Sequence, residues 1–186
     1  MSETLPQLPP SAALEVRDRY YGQPALFLEE VLGMELDEWQ RELCEEFHEH
    51  DRFAIASGHS SGKSALTAGL IQYFLAVHPD PQVIVTANTQ QQLREKTWRE
   101  LAKWHQKSLV REWFQWTATQ FSLKECPETW FASAVPNTPH SSESFAGAHE
   151  KYMLLIFDEA SAIDQAIWEV SEGATATPGG YRKWLV

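Results

Sequence analysis

Arg52-Phe53-Ala54-Ile55-Ala56-Ser57-Gly58-His59-Ser60-Ser61-Gly62-Lys63-Ser64 is the stretch that decides how this chain is read. A short apolar run ends in a loop of small residues, and Gly62-Lys63-Ser64 then opens a helical pattern predicted over residues 65–77. That is the order strand, phosphate loop, helix. Small loop residues let successive backbone N–H groups turn inward and cradle a triphosphate. Lys63 then reaches the β- and γ-phosphates, and the Ser64 hydroxyl ligates Mg²⁺. The helix points its positive end at the same phosphates. Ser57 stands where the pattern G-x-x-x-x-G-K-[ST] has its first glycine, and a polar turn before a core helix has a similar composition. The assignment therefore needs a second motif.

Met153-Leu154-Leu155-Ile156-Phe157 supplies it, ending in Asp158-Glu159-Ala160. An apolar run without alternation suits a strand buried on both faces, as in a parallel sheet covered by helices. Two carboxylates at the carboxyl end of such a strand stand where open α/β sheets bind their ligands. In that setting Asp158 holds the Mg²⁺ and Glu159 polarises the attacking water. An acidic pair also suits any helix N-terminus, but together with the phosphate loop it specifies a P-loop NTPase core that binds ATP and Mg²⁺.

With 186 residues the chain has room for one domain with a proper core. Cys44 and Cys126 are its only cysteines, far apart and without a C-x-x-C pattern. That points to a reducing compartment and away from a disulfide framework or a zinc site. The first residues lack the basic and apolar regions of a signal peptide, and no apolar stretch is long enough to span a bilayer. A cytoplasmic protein with no membrane contact is expected. The formal net charge is −11, and residues 1–51 alone hold thirteen acids against three bases. Residues 90–111 reverse the sign with Arg94, Lys96, Arg99, Lys103, Lys107 and Arg111, interleaved with Trp98 and Trp104, and Trp113 follows. Such a segment can track a phosphate backbone, or it can be an amphipathic helix with a solvated charged face and buried tryptophans.

Along the chain, residues 1–12 contain three prolines and read as a flexible leader, residues 13–51 as an acidic helical segment, and residues 52–186 as the ATPase core. His48 and His50 read as surface residues, since i, i+2 spacing points them apart on a helix. Residues 82–87 read as a second buried strand lying between the phosphate-loop strand and the Asp-Glu strand, the arrangement of the additional-strand class, with Asn88-Thr89 opening the basic helix. Residues 114–123 and 130–135 read as two shorter strands in a possible antiparallel excursion. A helix is expected over 164–172, a turn over 175–180, and a strand over 181–186.

Taken in order, these segments resemble the ATPase domain of the large terminase subunit, the DNA-packaging motor of tailed bacteriophages. The matching pieces are Leu36 to Gln40, Ser57 to Ser64, Val85-Thr86-Ala87-Asn88-Thr89-Gln90-Gln91, Phe145-Ala146-Gly147-Ala148-His149 leading into Leu154 to Ser161, and Ile167-Trp168-Glu169 with Glu172-Gly173-Ala174. Asp-Glu-Ala-Ser at 158–161 contrasts with the Asp-Glu-Ala-Asp typical of RNA helicases. The resemblance implies that Trp39 and Gln40 contact the adenine, that the loop Ser57, Gly58, His59, Ser60, Ser61, Gly62, Lys63 and Ser64 binds the phosphates, that Ser64 and Asp158 hold the metal, and that Glu159 and Lys63 are catalytic. It implies double-stranded DNA, a small terminase subunit and a portal or procapsid as partners, and a homo-oligomeric ring in the bacterial host cytoplasm. Arg94 and Arg99 are candidates for an arginine acting on a neighbouring subunit. Two departures stand out. His59 lies where many terminases carry an arginine. The sequence also stops at a strand that in the family precedes the coupling motif and the nuclease domain, so a truncated ATPase core is expected, with Trp184-Leu185-Val186 left as an exposed apolar end. A helicase or translocase of the same superfamily, and a non-catalytic prophage remnant, are the alternative readings.

Overall fold

The structure is a computed structural model, and it describes residues 8–56, 62–138, 150–175 and 179–186. Three helices come first: α1 (Ala13–Tyr20), α2 (Pro24–Glu30) and α3 (Glu38–Glu46). They are followed by β1 (Arg52–Phe53), α4 (Lys63–Val77) and β2 (Gln82–Ala87). The basic segment is α5 (Gln90–Leu93), a π-helical turn (Arg94–Trp98) and α6 (Arg99–Lys107). Next are β3 (Phe114–Trp116), β4 (Gln120–Leu123), β5 (Phe131–Ala134) and β6 (Tyr152–Asp158), then α7 (Gln165–Thr175) and β7 (Tyr181–Leu185).

The seven strands form one sheet in the order β1-β7-β6-β2-β5-β4-β3. From β1 to β5 every neighbour is parallel, while β4 and β3 extend the sheet antiparallel. The expected antiparallel excursion is therefore real, but residues 114–123 make two strands of a hairpin and not one. The strand between β1 and β6 also needs correcting: it is β7, the last in sequence, and β2 lies on the far side of β6. Because β7 is paired on both sides, Trp184 and Leu185 are buried and the anticipated exposed apolar end is not formed.

Alternation explains why β6 is apolar throughout. Leu154 and Ile156 join the large core with α1, α2, α4 and α6, while Met153, Leu155 and Phe157 join the smaller core under α7. A strand covered on both faces has no solvent side on which to place a polar residue. On the second face the Phe157 and Trp168 rings stack at 4.2 Å and reach on to Trp184; such ring pairs contribute about 0.5–1.5 kcal/mol beyond the area they bury. On the first face α4 is buried along nearly its whole length, Leu66 to Val77. It packs so closely that a Cβ on Gly69 would lie 2.9 Å from Leu28 and 3.0 Å from Met34. A helix apolar all round belongs in the middle of a layered fold, and α4 is that helix.

Two expectations about the N-terminal part also change. Leu8 and Pro10–Ala12, expected within the leader, are docked: Leu8 N–H donates to the Leu109 carbonyl at 2.8 Å, and the Leu8 carbonyl accepts from Trp113 Nε1 at 2.9 Å. His48 is half-buried and not a surface residue, with ring nitrogens 2.7 Å from both the Tyr73 and the Tyr181 hydroxyls. Residues after Glu46 have left α3, so the helical spacing argument did not apply to it.

Candidate nucleotide site at the carboxyl edge of the sheet

In a run of parallel strands every carboxyl end lies on the same edge, and here that edge gathers the chemistry. β1 ends there at Phe53, and α4 begins at Lys63 after Gly62. Asp158 is the last residue of β6, in register with Ala87 at the end of β2. Thr89 caps α5 just beyond, its hydroxyl accepting from Gln92 N–H at 3.1 Å.

Ser57, Gly58, His59, Ser60 and Ser61 lie outside the described residues. Gly62 is the left-handed entrance to α4, with φ 80°. An L side chain is strained at that φ, and a Cβ would also stand 2.7 Å from Gln40 Nε2. Among the described residues no side chain caps α4, and its first turn carries no acid. The first-turn N–H groups of a helix have no intrahelical partner, so an uncapped N-terminus is suited to an anion. Lys63 and Ser64 begin that turn, both half-buried.

Gln40 is nearly buried on α3. Its Oε1 accepts from the Asp37 N–H at 3.0 Å as half of a capping box, and its Nε2 donates to the Gly62 carbonyl at 3.2 Å. The side chain therefore ties α3 to the end of the phosphate loop, a link that sequence spacing does not reveal. Trp39 is half-buried beside it and packs against the large core.

The acidic pair is held by the basic segment. Asp158 Oδ2 accepts from the buried Thr97 Oγ1 at 2.7 Å. Glu159 Oε2 accepts from Gln92 Nε2 at 3.0 Å, and Oε1 forms an ion pair with Lys96. The hydrogen bond to Glu159 raises the Lys96 pKa above its ordinary value, with the nearby carboxylate charges adding to it. Glu159 itself occupies the left-handed region at φ 56°, where non-glycine residues are uncommon and strained backbone clusters at functional sites. Ser64 and Asp158 together offer hard oxygen donors, the class that Mg²⁺ takes.

Trp98 and Trp113 are anchors in the core, while Trp104 is half-buried with Lys103 and Lys107 over its ring. Trp98 is fully buried with Nε1 on the Thr117 carbonyl at 2.8 Å, and Trp113 is buried likewise. The amphipathic reading is thus correct for them, while Arg94, Lys96, Arg99, Lys103 and Lys107 remain exposed. Between this helix and the β3–β4 hairpin runs an open cavity of about 600 Å³ bordered by Gln90, Arg94, Arg99 and the partly exposed Trp116. Among the described residues no helix is long and apolar enough to cross a membrane, and no cluster of three or more His, Cys, Asp and Glu is suited to a metal.

No family model matches the chain. In sequence it is 27% identical over 154 residues to the probable terminase large subunit of Enterobacteria phage P7, which covers 78% of this chain and 31% of that protein. The chain thus spans about a third of the length of the curated relative it matches. In fold it is similar to the large terminase ATPase domain of Thermus phage P74-26, with a TM-score of 0.63 at 18% identity over 84% of this chain and 66% of that one. It is also similar to the large terminase of a thermophilic bacteriophage solved in complex with ADP, with a TM-score of 0.55 at 12% identity over 74% of this chain and 33% of that one. The resemblance read from the motifs to a phage large terminase ATPase domain is borne out, and so is the P-loop NTPase fold.

Proposed function

We infer that this chain is the ATP-hydrolysing core of a phage terminase large subunit, coupling turnover of Mg·ATP to movement of double-stranded DNA into a procapsid. The observation that carries the reading is the shared edge: the N-terminus of α4 following the left-handed Gly62, and the Asp158–Glu159 pair, both at the carboxyl ends of one parallel sheet. Phosphoryl transfer needs little covalent chemistry from the protein, so catalysis rests on positioning and charge neutralisation.

The division of labour follows from the donor types. Lys63 and the loop amides of residues 57–62 bind the phosphates, and Ser64 and Asp158 hold the metal. Bound Mg²⁺ neutralises charge on the phosphate oxygens as it develops. Glu159 takes the proton of the attacking water. Trp39 and Gln40 face the adenine side, and Gln40 must exchange one of its two internal hydrogen bonds to contact the base. The exposed cations from Arg94 to Lys107, beside the cavity at Trp116, support a phosphate-backbone partner. The small terminase subunit, a portal and a ring of copies of this chain complete the motor in this reading, with Arg94 and Arg99 as the candidates for an arginine that serves a neighbour.

The test is nucleotide binding by the 186-residue chain, with and without Mg²⁺, by titration calorimetry. Wild type binds ATP, and Lys63→Ala loses measurable affinity because the phosphates then meet the loop without its lysine. Undiminished affinity in that variant overturns the reading. Stimulation of turnover by single-stranded nucleic acid, and not by procapsid components, would favour a helicase-type translocase instead.

A further inference from the structure

The cleft of about 600 Å³ between the basic helix and the β3–β4 hairpin is bordered by side chains that have no partner in the fold. Elsewhere the arginines are engaged: Arg17, Arg19, Arg41, Arg52 and Arg111 each pair with a carboxylate. The side chains of Arg94 and Arg99, both on the cleft, have no ion pair or hydrogen bond among the described residues. The acids beside them are already taken. Glu95, which also lines the cleft, accepts from Gln91 Nε2 at 3.0 Å, and Glu100 pairs with Lys103. Two guanidinium groups against one carboxylate leave the cleft positive, in a chain whose formal net charge is −11.

Trp116 is set apart in the same way. Trp98, Trp113 and Trp130 each donate Nε1 to a backbone carbonyl, and Trp104 has two lysines over its ring. Trp116 is 39% exposed, with no side-chain hydrogen bond or ring contact among the described residues. Strand alternation puts it on the same face as Phe114, which is buried and stacked on Phe121. That apolar face therefore continues past the core and into the cleft. The walls are fixed to each other, because Trp98 Nε1 on the helix donates to the Thr117 carbonyl on the hairpin at 2.8 Å. A flat indole beside two free guanidinium groups matches the two halves of a nucleotide: a base that stacks, and phosphates that need cations.

We propose that this cleft holds an unpaired stretch of DNA strand, with one base stacked on Trp116 and the flanking phosphates on Arg94 and Arg99. The proposal rests on the reading of the chain as a DNA motor and adds a second form of DNA to it. Inside a duplex each base is already stacked on its neighbours, so its face meets an indole only at a strand end or where pairing is open. A duplex backbone can use the two arginines, but it offers nothing to the tryptophan. The assignment also gives Arg94 and Arg99 an anion on their own subunit, in place of service to a neighbour.

Fluorescence anisotropy tests it, with a labelled blunt-ended duplex and the same duplex carrying a short oligothymidine extension. Wild type binds the extended DNA about ten-fold more tightly, the scale of one stacked base. Trp116→Ala and Trp116→Gln lose that gain and keep the wild-type affinity for the blunt duplex, while Trp116→Phe retains most of it. Arg94→Gln and Arg99→Gln weaken binding of both DNAs, and each lowers the slope of log affinity against log salt by about one. A gain that survives either Trp116→Ala or Trp116→Gln overturns the proposal. So does a wild type that binds neither DNA, or that does not distinguish them, which would leave the arginines as contacts to duplex backbone alone. Nucleotide takes no part in this assay, so failure of the motor reading is visible separately, as absence of ATP binding in wild type.

Discussion

The two edges of the sheet hold ionisable groups of opposite character. At the carboxyl edge Asp158 and Glu159 reach solvent and are held by side-chain donors. At the amino edge and just inside it, Tyr152, Tyr181, His78, His48 and Tyr73 fill space as rings, and the Lys183 side chain is sealed in beside them. Lys183 is 1% exposed, with its ammonium on the carbonyls of His48 at 3.2 Å and His50 at 2.6 Å. Burial pushes the Tyr73 and Tyr181 hydroxyls up and the imidazoles of His48 and His78 down, so the titratable rings stay neutral. One edge keeps its charges available and the other locks its polar groups into structure. Substitutions at the first should therefore change activity without stability, and at the second the reverse.

The largest separation is expected at the carboxyl edge. Glu159→Gln keeps the shape and the Gln92 contact but removes the base, and should cut turnover by roughly two to three orders of magnitude while leaving nucleotide affinity and unfolding midpoint nearly unchanged. Asp158→Asn should weaken nucleotide and Mg²⁺ affinity together. Equal behaviour of the two variants in binding and kinetics would remove the division of labour between them.

At the amino edge Lys183→Ala should do the opposite. It strands two backbone carbonyls and opens a cavity between β7 and the loop after α3, at a cost of about 3 kcal/mol in a denaturant titration. ATP affinity measured below the unfolding transition should stay at the wild-type value. A variant that is stable but inactive would place Lys183 with the working residues and break the contrast between the edges.

Much of this was legible from residue order. The apolar run at Met153 to Phe157 has no polar position because both faces are covered, and the helix after Lys63 is apolar all round for the same reason. Burial writes itself into composition. Strand order does not: β7 inserts between β1 and β6 although Tyr181 to Leu185 comes last, because parallel neighbours are chosen by crossovers that leave no local pattern. Nor was the gripping of Asp158 and Glu159 visible. Lys96 and Thr97 reach their carboxylates across 63 and 61 residues of sequence, a separation that no local spacing rule covers. Gln40 is a third kind of case, since its role depends on a carbonyl 22 residues away at Gly62.

A smaller effect sharpens the amino edge further. Tyr73 Oη bridges the His48 ring at 2.7 Å and the Gly22 N–H at 3.1 Å. Tyr73→Phe leaves both without that partner while preserving the ring packing against Phe27 and Phe47, and should cost about 1–2 kcal/mol. Chemical denaturation reads this directly. A loss of less than about 0.5 kcal/mol would mean that the hydroxyl network adds little beyond ring burial.

The finest test is a pH series. His78 closes the end of α4 with 0% exposure, its ring 4.4 Å from Phe74 and 4.8 Å from both Tyr152 and Tyr181. Neither ring nitrogen has a hydrogen-bond partner among the described residues. Burial lowers its pKa from 6.5 to about 3, with the His48 and Lys183 charges adding to the shift. The folded state thus takes up the proton at lower pH than the unfolded chain does. The stability is fully present above pH 6.5 and declines as pH falls toward about 3. Between pH 6.5 and 5.5 this single group should remove about 1 kcal/mol. His105, lowered to about 4 by burial, and His48 act with the same sign. His78→Phe keeps an aromatic ring in the stack and cannot take up a proton, so its stability should fall less steeply over that interval. Parallel wild-type and variant curves from pH 7 to 5.5 would mean that the folded protein accommodates the charged imidazole, and that the amino edge is not the sealed region its burial describes.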